Sequence, residues 1–290
     1  MNFKKMNVAL AGLALSAAIA VPAHAVTLAG GYSGGITFVF ASFDMGTNYK
    51  GQQGGNICAN VAACDAAAIS FAPGAIGSED TWGIFQVTGI ISNDGLNTLL
   101  WTQGTGGEYI TGMFHGLTDV VVNGGTTASK VEAHATGGSV QFYVDNTLAD
   151  YNAGAGLGVA GRSGASSFNG ATNGTLWLDM NFAGTADSDY LGLGYQSSFS
   201  TSSLQGSGSG YLDVVGGSYA NQIKKGTEID NNGDKRDAFL QATFAPNSNA
   251  PLWTVTNRGG LDTNVVPEPA SLALLGLGLA GLASLRRRKN

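Results

Sequence analysis

Only two of the 290 residues are cysteine, Cys58 and Cys64. A lone pair leaves a zinc site two good ligands short, and its five-residue gap is not the two-residue spacing usual in redox pairs. The expectation is a local disulfide in an exported chain, pinning a short surface loop with little entropic gain. Charge is scarce too, at 12% of the residues. Six of the 14 Lys and Arg lie at the two extreme ends, which leaves 8 against 20 Asp and Glu between them, a formal charge of −12. Without clustered cations the chain cannot release the counterions of a polyanion, so nucleic acid is excluded as a partner. Direct electrostatic adhesion to anionic lipid is not expected, on the same ground. Six prolines form no linker, no charge run divides the chain and no internal repeat emerges, so one domain is expected.

Catalytic signatures are missing. There is no H-E-x-x-H, P-loop or dinucleotide fingerprint. Apart from His24 near the N-terminus, His115 and His134 are the only histidines. Either is a candidate general base, although both read more naturally as surface or edge residues. Gly31-Tyr32-Ser33-Gly34-Gly35 fits G-x-S-x-G but lacks the strand-turn-helix setting of a nucleophile elbow. Asp187 with Asp189, or Glu79 with Asp80, would serve glycoside hydrolysis only if folding set them across a sugar. The chain reads as a non-enzyme.

What is abundant is glycine, 45 residues, with many Ser, Thr and Asn and 9% aromatics. That mix suits short strands and tight turns, because each Gly costs a helix about 1 kcal/mol. Alternation marks strands directly: Ile36, Phe38 and Phe40; Val140, Phe142 and Val144; Leu176, Leu178, Met180 and Phe182. Further strands are expected at 82–91, 99–102, 109–114, 119–122, 130–136, 211–215, 238–244 and 252–256. Turn signals stand between them at Asn93-Asp94-Gly95, Asn123-Gly124-Gly125, Gly137-Gly138 and Asn231-Asn232-Gly233-Asp234. Residues 152–174 lose alternation and are expected as a long loop. The fold expected is all-β, a single β-sandwich or jelly-roll-like domain over residues 26–262.

Asp230-Asn231-Asn232-Gly233-Asp234-Lys235-Arg236-Asp237 is the best chemical constellation. Oxygen ligands at Asp230, Asn232 and Asp234, with Asp237 beyond, recur at the alternate spacing of a loop that wraps Ca²⁺. Lys235 and Gln241 stand where an EF-hand needs Gly and Glu, so a solvated turn competes with that reading.

Both ends carry addresses. Lys4 and Lys5, the apolar run 8–21 and Ala23-His24-Ala25 form a signal peptide over residues 1–25, with cleavage between Ala25 and Val26. At the other end, residues 263–290 hold Pro267-Glu268-Pro269, an uncharged run from Ala270 to Leu285, and Arg286, Arg287, Arg288 and Lys289. As a helix that run spans about 24 Å, short of the ~30 Å hydrocarbon core but feasible with Arg snorkelling. The basic tail holds the C-terminus in the cytoplasm and the preceding chain outside. These three parts, in this order, resemble the PEP-CTERM sorting signal of Gram-negative bacteria. The resemblance implies processing by an exosortase, membrane contact only through the C-terminal helix beforehand, and delivery to the cell surface or extracellular matrix. More weakly, Gly107 to Asp119 with the later Asp-rich turn is similar to the flocculation-associated PEP-CTERM proteins, which implies a role in floc or biofilm formation with extracellular polysaccharide. The function expected is a structural or adhesive matrix protein. The alternatives are a carbohydrate-binding module using Trp101, Trp177 or Trp253 as stacking platforms, and a secreted hydrolase.

Overall fold

The computed structural model describes residues 26, 28, 31–46, 81–123, 130–200, 203, 205–246, 253 and 255–266. Ala25, Cys58, Cys64, Glu79, Asp80 and the tail from Pro267 lie outside the described residues. The chain forms β1 (Gly34–Gly46), β2 (Thr81–Ser92), β3 (Leu99–Thr102), β4 (Tyr109–Asn123), β5 (Lys130–Asp145), a short helix α1 (Ala149–Ala155), β6 (Arg162–Gly164), β7 (Ser167–Phe168) and β8 (Thr175–Phe182). Then come β9 (Tyr195–Ser200), β10 (Gly206–Gly216), β11 (Glu228–Ile229), β12 (Lys235–Arg236), β13 (Ala238–Pro246) and β14 (Val255–Val265).

Eight strands close into an antiparallel barrel. Their order is β1-β14-β13-β10-β8-β5-β4-β2, and β2 pairs back onto β1 from Ile36↔Ser92 to Gly46↔Thr81. This corrects the sandwich expectation: a single sheet is rolled onto itself and so removes its own edges. The inward faces follow the alternation predicted. Ile36, Phe38, Phe40, Val140, Phe142, Val144, Leu178, Met180 and Phe182 are all buried. Trp177, predicted to face away from Leu178, is buried as well. A register shift between Phe142 and Tyr143 accompanies it, and its ring meets Phe38 edge-on at 5.7 Å and Tyr219 in a stack at 4.3 Å.

Two predicted turns behave differently from one another. Asn93-Asp94-Gly95 is a turn, locked by Ser92 Oγ donating to Asp94 Oδ1 at 2.7 Å and by the Leu96 amide on the same oxygen at 3.0 Å. Gly137-Gly138 is not a chain reversal, because β5 runs straight through it and β4 runs through Gly116 opposite. All three glycines have φ between 69° and 87°, which lets the long β4–β5 ribbon bend without breaking its pairing. Predicted strands 109–114 and 119–122 are therefore one, as are 130–136 and 140–144.

β8 and β9 occupy one position in the wall. Both pair with β5 and β10, β8 through the Val144 and Gly216 ends and β9 through the Lys130 and Gly206 ends. Residues 183–194 leave the wall between them and return to it. The stretch 152–174 is more ordered than a loop: α1, β6 and β7 cover a second cluster of Trp82, Ile84, Met113, Tyr151, Phe168 and Trp253. The Trp253 Nε1–H donates to Ala155 O at 2.7 Å. At the C-terminus, β14 extends three residues past the expected boundary at 262. Leu261, Thr263 and Val265 are buried, and Val265 pairs with Gly34.

Candidate functional site

The outer wall carries a polar ladder. Cross-strand partners share a face of the sheet, and the registers align Glu132↔Ser198, Ser198↔Ser207, Ser207↔Thr243 and Thr243↔Arg258 in one row across β5, β9, β10, β13 and β14. One step along the strands, His134↔Gln196, Gln196↔Ser209 and Ser209↔Gln241 make a second row. At ~4.8 Å per strand, four gaps give a strip about 19 Å long. These residues line a groove of about 480 Å³. Its walls are hydroxyls and amides, with Lys130 bonded to Glu132 at 2.7 Å at one end and the exposed Arg258 at the other. Gln196 Nε2 donates to Ser209 Oγ at 3.3 Å, so neighbouring rungs hold each other in place.

His134 closes one side of the groove. It is buried at 2% exposure, its ring lies 3.8 Å from that of Tyr190, and neither ring nitrogen has a hydrogen-bond partner. Asp187 Oδ2 is 3.9 Å from its Nδ1. Burial comes from the 183–194 excursion, which the alternation of residues 130–136 could not reveal. His115 is half-buried in mid-strand opposite Ser139. Ser33 precedes a strand rather than a helix, so no nucleophile elbow forms. Asp187 accepts the Asp189 amide at 3.0 Å within one turn, and the two do not face each other across a cleft.

The Asp-rich turn has its oxygens occupied. Asp230 is buried and accepts the amides of Asn232 and Asp234 on Oδ1, and the amide of Thr185 and the Arg236 Nε–H on Oδ2, all at 2.9–3.1 Å. Burial pushes this carboxyl up, but those four donors outweigh it and hold the group below the usual carboxylate range. Asp237 points elsewhere, accepting the amides of Val214 and Gly226. Asn232 and Asp234 bond to each other at 3.2 Å. Asp237 therefore does not join the other three proposed Ca²⁺ ligands, and the Arg236 guanidinium already bonds Asp230 Oδ2. Among the described residues no group of three His, Cys, Asp or Glu is placed to hold a metal.

A second polar feature lies inside the barrel. Asp44 sits at the corner of a cavity of about 50 Å³, walled by Phe85, Phe114, Phe142, Phe182 and Tyr195. That exceeds the roughly 10–15 Å³ one water needs. Ser42 Oγ donates to Asp44 Oδ1 at 2.9 Å and the Asn257 amide donates to Oδ2. Burial pushes the carboxyl up to about 7 against these two hydrogen bonds. Burial, then the charges of Asp44 and Asp119, push the Tyr195 phenol up, so it stays a neutral donor. Sequence pattern missed this site because Asp44 simply continues the inward alternation of Phe38, Phe40 and Ser42.

The three tryptophans offered as sugar platforms are all interior: Trp101, Trp177 and Trp253 are exposed by 2%, 1% and 3%.

Beyond the barrel, residues 265–289 match the PEP-CTERM protein-sorting motif. The chain carries an exosortase sorting signal. It is accordingly an exported protein processed by exosortase and directed to the cell surface. No curated protein and no solved structure matches the chain. The flocculation-like stretch 107–119 gains no support from these comparisons, and in the structure most of it is β4, paired to β2 and β5.

Proposed function

We propose that the PEP-CTERM barrel is a non-catalytic component of the extracellular polymer matrix that grips polysaccharide along its outer polar ladder and so supports floc or biofilm formation. The observation that carries this reading is the double row from Glu132 and His134 to Arg258 and Gln241. Its hydroxyls and amides are spaced at the strand repeat, close to the size of one sugar ring, and so meet a glycan laid across the strands at successive residues. Recognition runs through hydrogen bonds rather than ring stacking, since the tryptophans are inside. The acidic charge of the mature chain keeps it soluble once its tail is gone.

The test has two arms. Purified mature protein is titrated calorimetrically with the producing bacterium's own extracellular polysaccharide, and a clean deletion strain is scored for aggregation at unchanged growth. Saturable heat and impaired aggregation are expected. No heat together with normal flocs removes the proposal.

A further inference from the structure

Both membrane-directed segments leave the barrel at the same end. β1 begins at Gly34 directly opposite Val265, the last residue of β14, and the Val266 amide is tied to Gln222 O at 2.8 Å. The mature chain starts only eight residues before Gly34, with Val26 already buried in the core. On the other side, only Pro267, Glu268 and Pro269 separate Val266 from Ala270, where the uncharged run begins. Fully extended, the chain from Val266 to Ala270 reaches about 14 Å. While the tail is in the bilayer, this end of the barrel is confined to the membrane surface.

The same end presents apolar side chains to solvent. Asn93 donates to Gly35 O at 2.8 Å, and Gly35 pairs with Asn264, so the β2–β3 hairpin rises two strands, about 10 Å, from the exit of β14. Its turn is fixed by Ser92 and Asp94, with the Thr98 amide on Ser92 Oγ at 2.9 Å. Held on it, Leu96 is 79% exposed and Leu99 59%. A rigid turn that aims two leucines outward beside a membrane exit suits the headgroup boundary, where apolar side chains gain burial.

We propose that the precursor docks end-on against the outer leaflet of the inner membrane through Leu96 and Leu99, which presents Pro267-Glu268-Pro269 to exosortase at a fixed height. The proposal rests on the sorting signal and is independent of the polar ladder. The experiment uses full-length precursor in vesicles of phosphatidylethanolamine and phosphatidylglycerol that contain brominated acyl chains. An environment-sensitive fluorescent amino acid replaces Leu96 in one protein and Leu191 in another. Leu191 is 68% exposed on the excursion between β8 and β9, at mid-wall, and is the control. Thermal melts establish that both proteins fold, and vesicle flotation separately reads insertion of the tail. Bromine quenching at position 96 and none at position 191 is the expected result. Floating precursor with equal quenching at the two positions, or with none at 96, overturns end-on docking while leaving the sorting signal intact.

Discussion

The Arg236 guanidinium bridges Asp230 and Asp213, with Nε 3.0 Å from Asp230 Oδ2 and Nη1 3.0 Å from Asp213 Oδ2. Asp230 in turn holds the amide of Thr185, so this one cation ties the β11–β12 hairpin, the wall strand β10 and the 183–194 excursion together. Arg236→Ala strands a buried carboxylate and is expected to cost about 2–3 kcal/mol. Arg236→Lys should recover only part of the loss, because an ammonium cannot fork between two carboxylates. Urea melts of the three proteins measure this. The depressed Asp230 pKa adds a sign: its stabilisation is complete above the unfolded value of 3.8 and fades as pH falls through the lower folded value. The acid limb of the stability curve should therefore flatten in Arg236→Ala.

Alternation made the inward residues of β1, β5 and β8 legible, because period-2 burial is a local property. Closure was not legible. A sandwich and a barrel share the same alternation, and what separates them here is the pairing of β1 with both β2 and β14, whose partners lie more than 200 residues apart in the latter case. β14 also hides its strand character behind Asn257-Arg258-Gly259-Gly260, where apolar alternation breaks off and the expected strand ended at 256. The polar ladder was invisible for a related reason: Ser198, Ser207 and Thr243 are unremarkable singly and join a row from Glu132 to Arg258 only through registers set by four separate strand pairs. In the Asp-rich turn the spacing suggested Ca²⁺ ligands, but Arg236, the Thr185 amide of a distant loop and the turn's own amides took the Asp230 oxygens.

Asp44 gives a pH signature of opposite sign. Burial raises its pKa to about 7, so between pH 3.8 and 7 the unfolded chain loses a proton that the folded barrel keeps. Stability from this group therefore falls as pH rises across that window, by up to about 4 kcal/mol. Asp44→Asn keeps an oxygen acceptor and a similar shape but cannot ionise. Relative to the parent it should gain stability between pH 4 and pH 8, read as the difference in urea midpoints at the two pH values. A constant difference would show that Asp44 titrates normally.

Gly259 is a tight point on the β13–β14–β1 part of the barrel. A Cβ there would lie 2.3 Å from Gln241 O on β13 and 2.5 Å from Cζ of Phe40 on β1. Gly259→Val is expected to cost about 3 kcal/mol or more, because the obstacle includes backbone that cannot swing aside. Ser207→Val, at an exposed outward position, should stay within about 0.5 kcal/mol and serves as the control. Hydrogen exchange locates the damage: in Gly259→Val the amides from Gly259 to Leu261 should lose protection before those of β4 and β5.

The ladder itself makes the most discriminating prediction for function. Gln241 and Thr243 are exposed and Gln196 is half-buried, so trimming any of them to Ala should leave the melt nearly unchanged. If a glycan bonds to these rungs, each loss should weaken binding by about 0.5–1.5 kcal/mol, roughly 2- to 12-fold in Kd. Losses at Gln196 and Thr243, which stand in different rows and touch no common partner in the structure, should be close to additive for one extended ligand. Arg258→Ala separates charge from shape: a neutral polysaccharide should tolerate it about as well as an Ala elsewhere in the row, whereas an acidic one should lose more and become less sensitive to salt. Calorimetric titration of the four variants against the same polymer reads all of these. Uniform affinity across the set would move the binding site off this face and take the proposed mode of matrix attachment with it.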